Sequence, residues 1–111
     1  MSRNYMSKND ELRAGDYLMS NNGEWKAVFQ DNGNFVIYGW TPTWASNTCE
    51  VGGYRLCLQQ DCNLVMYDMG GKAVWHTNSS KSAPNMCRLQ LTDKGSLVVY
   101  REGESIWKSE D

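Results

Sequence analysis

The sequence predicts an all-β chain built from three similar units. Three observations predict it. A fourteen-residue segment recurs three times without gaps. Each copy carries turn residues at its centre, between two runs of strand-forming residues. No segment of helical length shows an apolar period of 3.6 residues with capping signals.

The copies are WKAVFQDNGNFVIY (25–38), YRLCLQQDCNLVMY (54–67) and CRLQLTDKGSLVVY (87–100). Each opens with an apolar residue followed by Lys or Arg and closes on apolar-Val-apolar-Tyr. Each reads as a β-hairpin around Asp31-Asn32-Gly33, Asp61-Cys62-Asn63 or Asp93-Lys94-Gly95. Asn-Gly is the best two-residue hairpin turn, because both residues tolerate positive φ. Cys62 stands where the other copies have Gly, which is less comfortable and fits a residue held by a disulfide. A second element follows each copy: Trp44-Ala45-Ser46-Asn47, Trp75-His76-Thr77-Asn78 and Trp107-Lys108-Ser109-Glu110. All three read Trp-x-[Ser/Thr]-x. Ser20-Asn21-Asn22-Gly23, Gly52-Gly53 and Gly70-Gly71 supply further turns.

Three similar sheets must each bury one face. Leu56, Leu58, Leu64 and Met66 form the inward set of the second unit, Phe35 and Ile37 that of the first, Leu97 and Val99 that of the third. Trp44, Trp75 and Trp107 then meet around a pseudo-threefold axis, each ring burying some 150–250 Å². Repeat plus burial gives a three-faced β-prism, one domain over residues 1–111.

Composition narrows the function. Net charge is -2, with Lys and Arg scattered, so no basic stripe offers a nucleic-acid or anionic-membrane surface. No apolar run approaches the roughly 20 residues of a membrane span, so membrane insertion is not expected. The N-terminus has no apolar stretch like that of a signal peptide. Cys49, Cys57, Cys62 and Cys87 are an even count in a small domain, which favours two disulfides and an oxidising compartment. Three pairings are possible and spacing does not choose among them. The spacing C-x7-C-x4-C-x24-C fits no common zinc pattern, so no metal or cofactor is expected. A single histidine, His76, supports no catalytic triad, and Asp61 has amide neighbours in place of a second acid. Binding without turnover is the better class. Asn78-Ser79-Ser80 matches a glycosylation acceptor, but without a leader its use is not expected.

The functional signal lies in QQDCNLVMY, where Gln59, Asp61, Asn63, Val65 and Tyr67 alternate strictly. A sugar hydroxyl both donates and accepts, so its site needs a carboxylate, an amide and a hydroxyl. Alternation puts such groups on one surface, roughly 7 Å apart at i and i+2. That set can tell an axial hydroxyl from an equatorial one, since the wrong epimer leaves polar groups unpaired.

Gln59-x-Asp61-x-Asn63-x-Val65-x-Tyr67 matches in full the signature of the bulb-type, monocot mannose-binding lectins. With the tripled hairpin and its Trp-x-[Ser/Thr] tails, the resemblance covers nearly the whole chain, and the run from Leu12 to Leu18 is similar to the family's opening strand. The cysteines and the missing leader look closest to the lily-type lectins of fish skin mucus. The resemblance implies a β-prism II of three four-stranded antiparallel sheets that binds mannose or mannose-rich glycans without calcium. It implies that Asp61 and Asn63 hold the axial 2-hydroxyl, Gln59 the 3-hydroxyl and Tyr67 the 4-hydroxyl, with Val65 against the ring edge. It implies a Cys62–Cys87 bridge, which leaves Cys49–Cys57 as the residual pair. It also implies a homodimer through exchanged C-terminal strands, and an extracellular, defensive setting. A prism that has lost sugar binding and works through protein contacts is the alternative.

The three sites are not equal. Gln30-x-Asn32-x-Asn34-x-Val36-x-Tyr38 has Asn32 in place of Asp. Its amide oxygen can still accept, but the charge-assisted bond is gone, and a loss of about 1–2 kcal/mol is expected. The third unit reads Thr92-x-Lys94-x-Ser96-x-Val98-x-Tyr100, where only Val and Tyr survive. It is expected not to bind mannose.

Overall fold

A computed structural model describes residues 3–82 and 86–110. Among the described residues every regular element is a strand. Three short strands come first: β1 (Tyr5–Ser7), β2 (Glu11–Arg13) and β3 (Tyr17–Met19). The first unit gives β4 (Lys26–Phe29), β5 (Phe35–Tyr38) and β6 (Pro42–Ala45). The second gives β7 (Arg55–Leu58), β8 (Leu64–Tyr67) and β9 (Ala73–His76). The third gives β10 (Cys87–Leu91), β11 (Leu97–Arg101) and β12 (Glu104–Lys108).

These form three four-stranded sheets, ordered β1-β10-β11-β12, β2-β7-β8-β9 and β3-β4-β5-β6, with every pairing antiparallel. Each repeat supplies three strands of one sheet. The N-terminal segment supplies the fourth strand of all three in turn. Leu12 to Leu18 is therefore not one opening strand. It divides between β2 and β3 because Asp16 turns the chain back, its carboxylate accepting from Arg13 N at 2.8 Å and its own N–H donating to Arg13 O at 2.9 Å. Met6, Leu12 and Leu18 are the buried centres of the three short strands, so this segment is stitched to the core of every sheet.

The alternation expected from the sequence is realised. Leu56, Leu58, Leu64, Met66, Phe35, Ile37, Leu97 and Val99 are all 0% exposed. Trp44, Trp75 and Trp107 meet edge to face on the axis, with ring centroids 6.2, 6.0 and 6.4 Å apart for the three pairs. The Ser or Thr two residues after each Trp closes the sheet behind it. Phe35 N donates to Ser46 Oγ at 3.0 Å while Ser46 N donates to Phe35 O at 2.9 Å. Thr77 and Ser109 make the same exchange with Leu64 and Leu97. Trp-x-[Ser/Thr] thus joins an axial ring to a strand-end hydrogen-bond pair.

The hairpin turns differ from the two-residue Asn-Gly form. Gln30 N donates to Asn34 O and Gly33 N to Gln30 O, each at 2.9 Å. This is a three-residue loop in which only the third residue is left-handed. Gly33 has φ +85°, Cys62 +72° and Gly95 +85°. Each of these residues also touches the opening of the next repeat. Gly33 lies against Gly53, where a Cβ would come within 3.0 Å of its backbone. Cys62 is bridged to Cys87, as the resemblance implied, with Cα atoms 5.4 Å apart. Gly95 lies under the Trp25 indole, whose Nε1 donates to Asp93 O at 3.1 Å. Three different contacts close one ring of neighbours.

The residual cysteine pair does not form. Cys49 is an exposed thiol and Cys57 a half-buried one. Cys57 is fixed in the middle of β7, between Glu11 and Val65, with Arg55 Nη1 donating to its sulfur at 2.7 Å. Cys49 lies on the turn after Thr48, which is itself tied to Gly33 O at 2.7 Å. Being left over by the first bridge does not bring two thiols together.

Two outcomes follow. Closing the loop between Cys62 and Cys87 is worth roughly 3 kcal/mol. Cys62→Gly also relieves a left-handed backbone worth about 1 kcal/mol, so in urea unfolding it should cost less than Cys87→Ala; equal or reversed losses would contradict this. Burial pushes the Cys57 thiol above its ordinary range although Arg55 opposes it. Alkylation of the native protein at mildly basic pH should therefore modify Cys49 before Cys57 and leave Cys62 and Cys87 untouched, and a mass-mapped Cys49–Cys57 peptide would show the assignment wrong.

Candidate functional site

Gln59, Asp61 and Asn63 sit in the turn between β7 and β8, and Val65 and Tyr67 on β8. The structure brings all five together, though not as one extended ladder. Gln59 Nε2 donates to Tyr67 OH. Asp61 Oδ1 accepts from Asn63 N at 3.0 Å. Asn63 Oδ1 accepts from Ser79 N and from Thr77 Oγ1, each at 3.2 Å. A backbone N–H can only donate, so the Asn63 amide is held with its oxygen toward Ser79. Asp61 Oδ2 and Asn63 Nδ2 keep no partner among the described residues. Asp61 thus keeps one acceptor and Asn63 one donor, which is the pair a single sugar hydroxyl needs. Val65, on the same strand as Tyr67, is 4% exposed. Arg55 stacks behind the Tyr67 ring at 4.4 Å. A cavity of about 360 Å³ bordered by Gln59, Tyr67, Arg55 and Asn9 adjoins the set.

The first unit repeats this geometry with one inverted atom. Gln30 Nε2 donates to Tyr38 OH. Asn34 Oδ1 accepts from Thr48 N and Ser46 Oγ, each at 3.2 Å. Asn32 Oδ1 accepts from Asn34 N at 3.0 Å, as Asp61 does in its own turn. The amide oxygen expected to accept from a sugar is therefore already engaged by the backbone. What Asn32 offers is its Nδ2 donor, beside a second donor on Asn34. Val36 is likewise buried at 4%.

The third unit has lost the arrangement. Thr92 Oγ1 accepts from Ser96 N at 3.2 Å, and Ser96 Oγ donates to Glu110 at 2.8 Å. Lys94 is exposed. Thr92 is too short to reach Tyr100, while Val98 stays buried at 4%.

The signature does not contain the groups that aim it. Ser79 Oγ donates to Cys62 O at 2.7 Å and lies 2.6 Å from Thr77 Oγ1; Thr48 does the same for Gly33 O and Ser46 in the first unit. Between each hydroxyl pair sits an Asn with positive φ, Asn47 at 60° and Asn78 at 56°. The available signal was a motif two residues longer, Trp-x-[Ser/Thr]-Asn-[Thr/Ser], present in the first two copies and broken at Glu110 in the third.

Comparison with known proteins agrees with this fold. No family model matches the chain. The B-type lectin plumieribetin of Scorpaena plumieri is 64% identical over 107 residues, which is 96% of this chain and 95% of that protein. The chain belongs to the B-type lectin family. It is a lectin, a binding protein rather than an enzyme, and its fold is the β-prism II. The monomeric monocot mannose-binding lectin of Gastrodia elata superposes with a TM-score of 0.87 at 28% identity, covering 96% of each chain. The mannose-specific agglutinin of snowdrop (Galanthus nivalis), solved with methyl-α-D-mannoside, superposes with a TM-score of 0.79 at 29% identity, covering 87% of this chain and 88% of that one.

Ser79→Ala in this lectin removes the hydroxyl that ties the Asn63 support to the Cys62 carbonyl. It should cost about 1–3 kcal/mol, as for a buried acceptor left unpaired, and Ser80→Ala, at an exposed position, should cost almost nothing. Equal midpoints in thermal unfolding would remove Ser79 from the support.

Proposed function

We propose that this lectin binds D-mannose and mannose-containing glycans at the 59–67 site, without calcium. The observation that carries the reading is the pair of unpartnered atoms, Asp61 Oδ2 and Asn63 Nδ2, each on a side chain whose other atom is fixed by the fold. An axial 2-hydroxyl donates to the carboxylate and accepts from the amide at once. Gln59 and Tyr67, already bonded to each other, present their remaining capacity to the 3- and 4-hydroxyls, and Val65 takes the ring edge. The side chains meet the sugar directly, and among the described residues no three His, Cys, Asp or Glu converge to hold a metal ion. That the snowdrop agglutinin was solved with methyl-α-D-mannoside supports the same ligand here.

The 30–38 site is the weaker one, because two amide donors side by side lack the carboxylate acceptor. The 92–100 site does not bind mannose. A shallow single site gives a dissociation constant on the order of 0.1–1 mM. Useful avidity for clustered glycans then comes from several sites acting together. In this reading the protein is a homodimer that cross-links glycans outside the cell in recognition or defence. The Cys62–Cys87 bridge supports an oxidising compartment. β12 already completes its own chain's sheet, so strand exchange is not needed to finish the prism.

Calorimetry with methyl α-mannoside tests the reading. Wild type should show stoichiometry above one. Asp61→Ala should lose the tighter site, and Asn32→Asp should tighten the other by about 1–2 kcal/mol. Chelator should change nothing. Unchanged binding in Asp61→Ala would place the ligand elsewhere.

A further inference from the structure

The third sheet has lost the mannose signature but carries the largest of the described cavities, about 520 Å³. It lies on the sheet's outer face, lined by Arg88, Gln90, Tyr100, Lys8, Met86 and Glu102 among others. The register explains why it is there. In the second sheet, one row across the strands reads Arg13, Arg55, Tyr67, and the next reads Glu11, Cys57, Val65. In the third sheet the same rows read Ser7, Arg88, Tyr100 and Tyr5, Gln90, Val98. Ser7 in place of Arg13 empties the space. Tyr5 in place of Glu11 removes the anion.

The electrostatic consequence is direct. Arg55 has Glu11 at 3.8 Å and the Cys57 sulfur at 2.7 Å. Arg88 stacks on the Tyr5 ring at 4.5 Å and has no carboxylate partner among the described residues. Its donors are left to the cavity. The same holds for the Tyr100 hydroxyl, since the Gln that occupies Tyr38 and Tyr67 in the other units is Thr92 here. Gln90 brings a further amide without a side-chain partner among the described residues. Glu102, also in the lining, has Oε1 accepting from Met86 N at 3.1 Å. It keeps an anion away from its own end and can accept from a hydroxyl. Met86, 70% exposed, offers an apolar surface to a ring face.

We propose that this cavity is a saccharide site of a different kind, selective for a sugar that carries a carboxylate. The carboxylate lies on the Arg88 guanidinium, whose fork matches its geometry. Gln90, Tyr100 and Glu102 take the hydroxyls, and Met86 packs on the ring. The lectin then recognises two unlike sugars on two faces, a neutral one by the epimer at one carbon and an acidic one by its charge.

The test is a titration of the full chain with methyl β-D-glucuronide and with the methyl glycoside of N-acetylneuraminic acid. Methyl β-D-glucoside serves as the neutral control, and acetate as the carboxylate without a ring. Binding is followed by ¹H–¹⁵N spectra and calorimetry. At least one acidic sugar should bind more tightly than glucoside and acetate, shift signals around Arg88 and Tyr100, and weaken as salt is raised. Arg88→Gln should weaken it about ten-fold, as for a lost charge-assisted bond. Tyr100→Phe, which removes only a hydroxyl and should leave folding intact, should weaken it about three-fold. Methyl α-mannoside binding at 59–67 should persist in Arg88→Gln, which separates this site from the mannose site. Glucoside binding as tightly as both acidic sugars, acetate binding as tightly as they do, or no effect of either substitution would overturn the proposal.

Discussion

Three sheets with one apolar face each need a common surface on which to bury them, and the contact of Trp44, Trp75 and Trp107 supplies it. Their centroids lie 6.0–6.4 Å apart at steep angles. Such edge-to-face pairs add about 0.5–1.5 kcal/mol each beyond the area they bury. Two residues past each ring, a hydroxyl and a backbone N–H close the strand end that begins the neighbouring β5, β8 or β11. The axial packing and the edge of each sheet are therefore one construction. The turns of the proposed sugar sites hang directly from it, because the same Ser46 and Thr77 hydroxyls reach the amide oxygens of Asn34 and Asn63. Core packing in this lectin sets the direction of the side-chain atoms proposed to meet the sugar.

Much of this was legible in the chain. A gapless triple repeat with an apolar alternation fixed the number of sheets and their inward residues, because a one-residue slip would turn Leu56 and Met66 to solvent. The Trp cluster followed from having three large rings and one axis. The β1 to β3 segment was harder to read. Three-residue strands carry too little pattern, and only the single buried residue in each, Met6, Leu12 or Leu18, marks them. The Asn-Gly turn was read as a two-residue form because dipeptide chemistry does not report the register around it. The Cys49–Cys57 pairing rested on elimination, and elimination carries no distance. In the site, the five signature residues were visible as residue types. Which atom of each is spent on the fold was not, since that depends on Ser79 and Thr48, fourteen or more residues away across the sheet.

In the proposed reading, that division of atoms makes the sites on one scaffold unequal. A turn carboxylate has two oxygens: one stabilises the turn and the other is available. Replacing Asp by Asn at residue 32 keeps the turn bond and inverts the remaining atom from acceptor to donor. The substitution is therefore silent for folding and costly for an axial hydroxyl. In the third unit, Thr92 and Ser96 keep the turn closed by other means. The ring of contacts between repeats shows the same tolerance. Gly33 on Gly53, the Cys62–Cys87 bridge and Gly95 under Trp25 are chemically unrelated solutions at equivalent places. The fold demands that each left-handed turn residue be supported by the next repeat, and it leaves the chemistry of that support open.

The central claim is that Asn63 holds its amide donor outward, beside the Asp61 carboxylate, at a sugar's axial hydroxyl. The side-chain amide signals of Asn63 and Asn34, followed in ¹H–¹⁵N spectra as methyl α-mannoside is added, report on it directly. The account predicts that the Asn63 signal moves first, that the Asn34 signal moves only at higher sugar concentration, and that methyl α-glucoside moves neither to the same extent. Asn63 signals that stay still while the protein binds mannoside would contradict it.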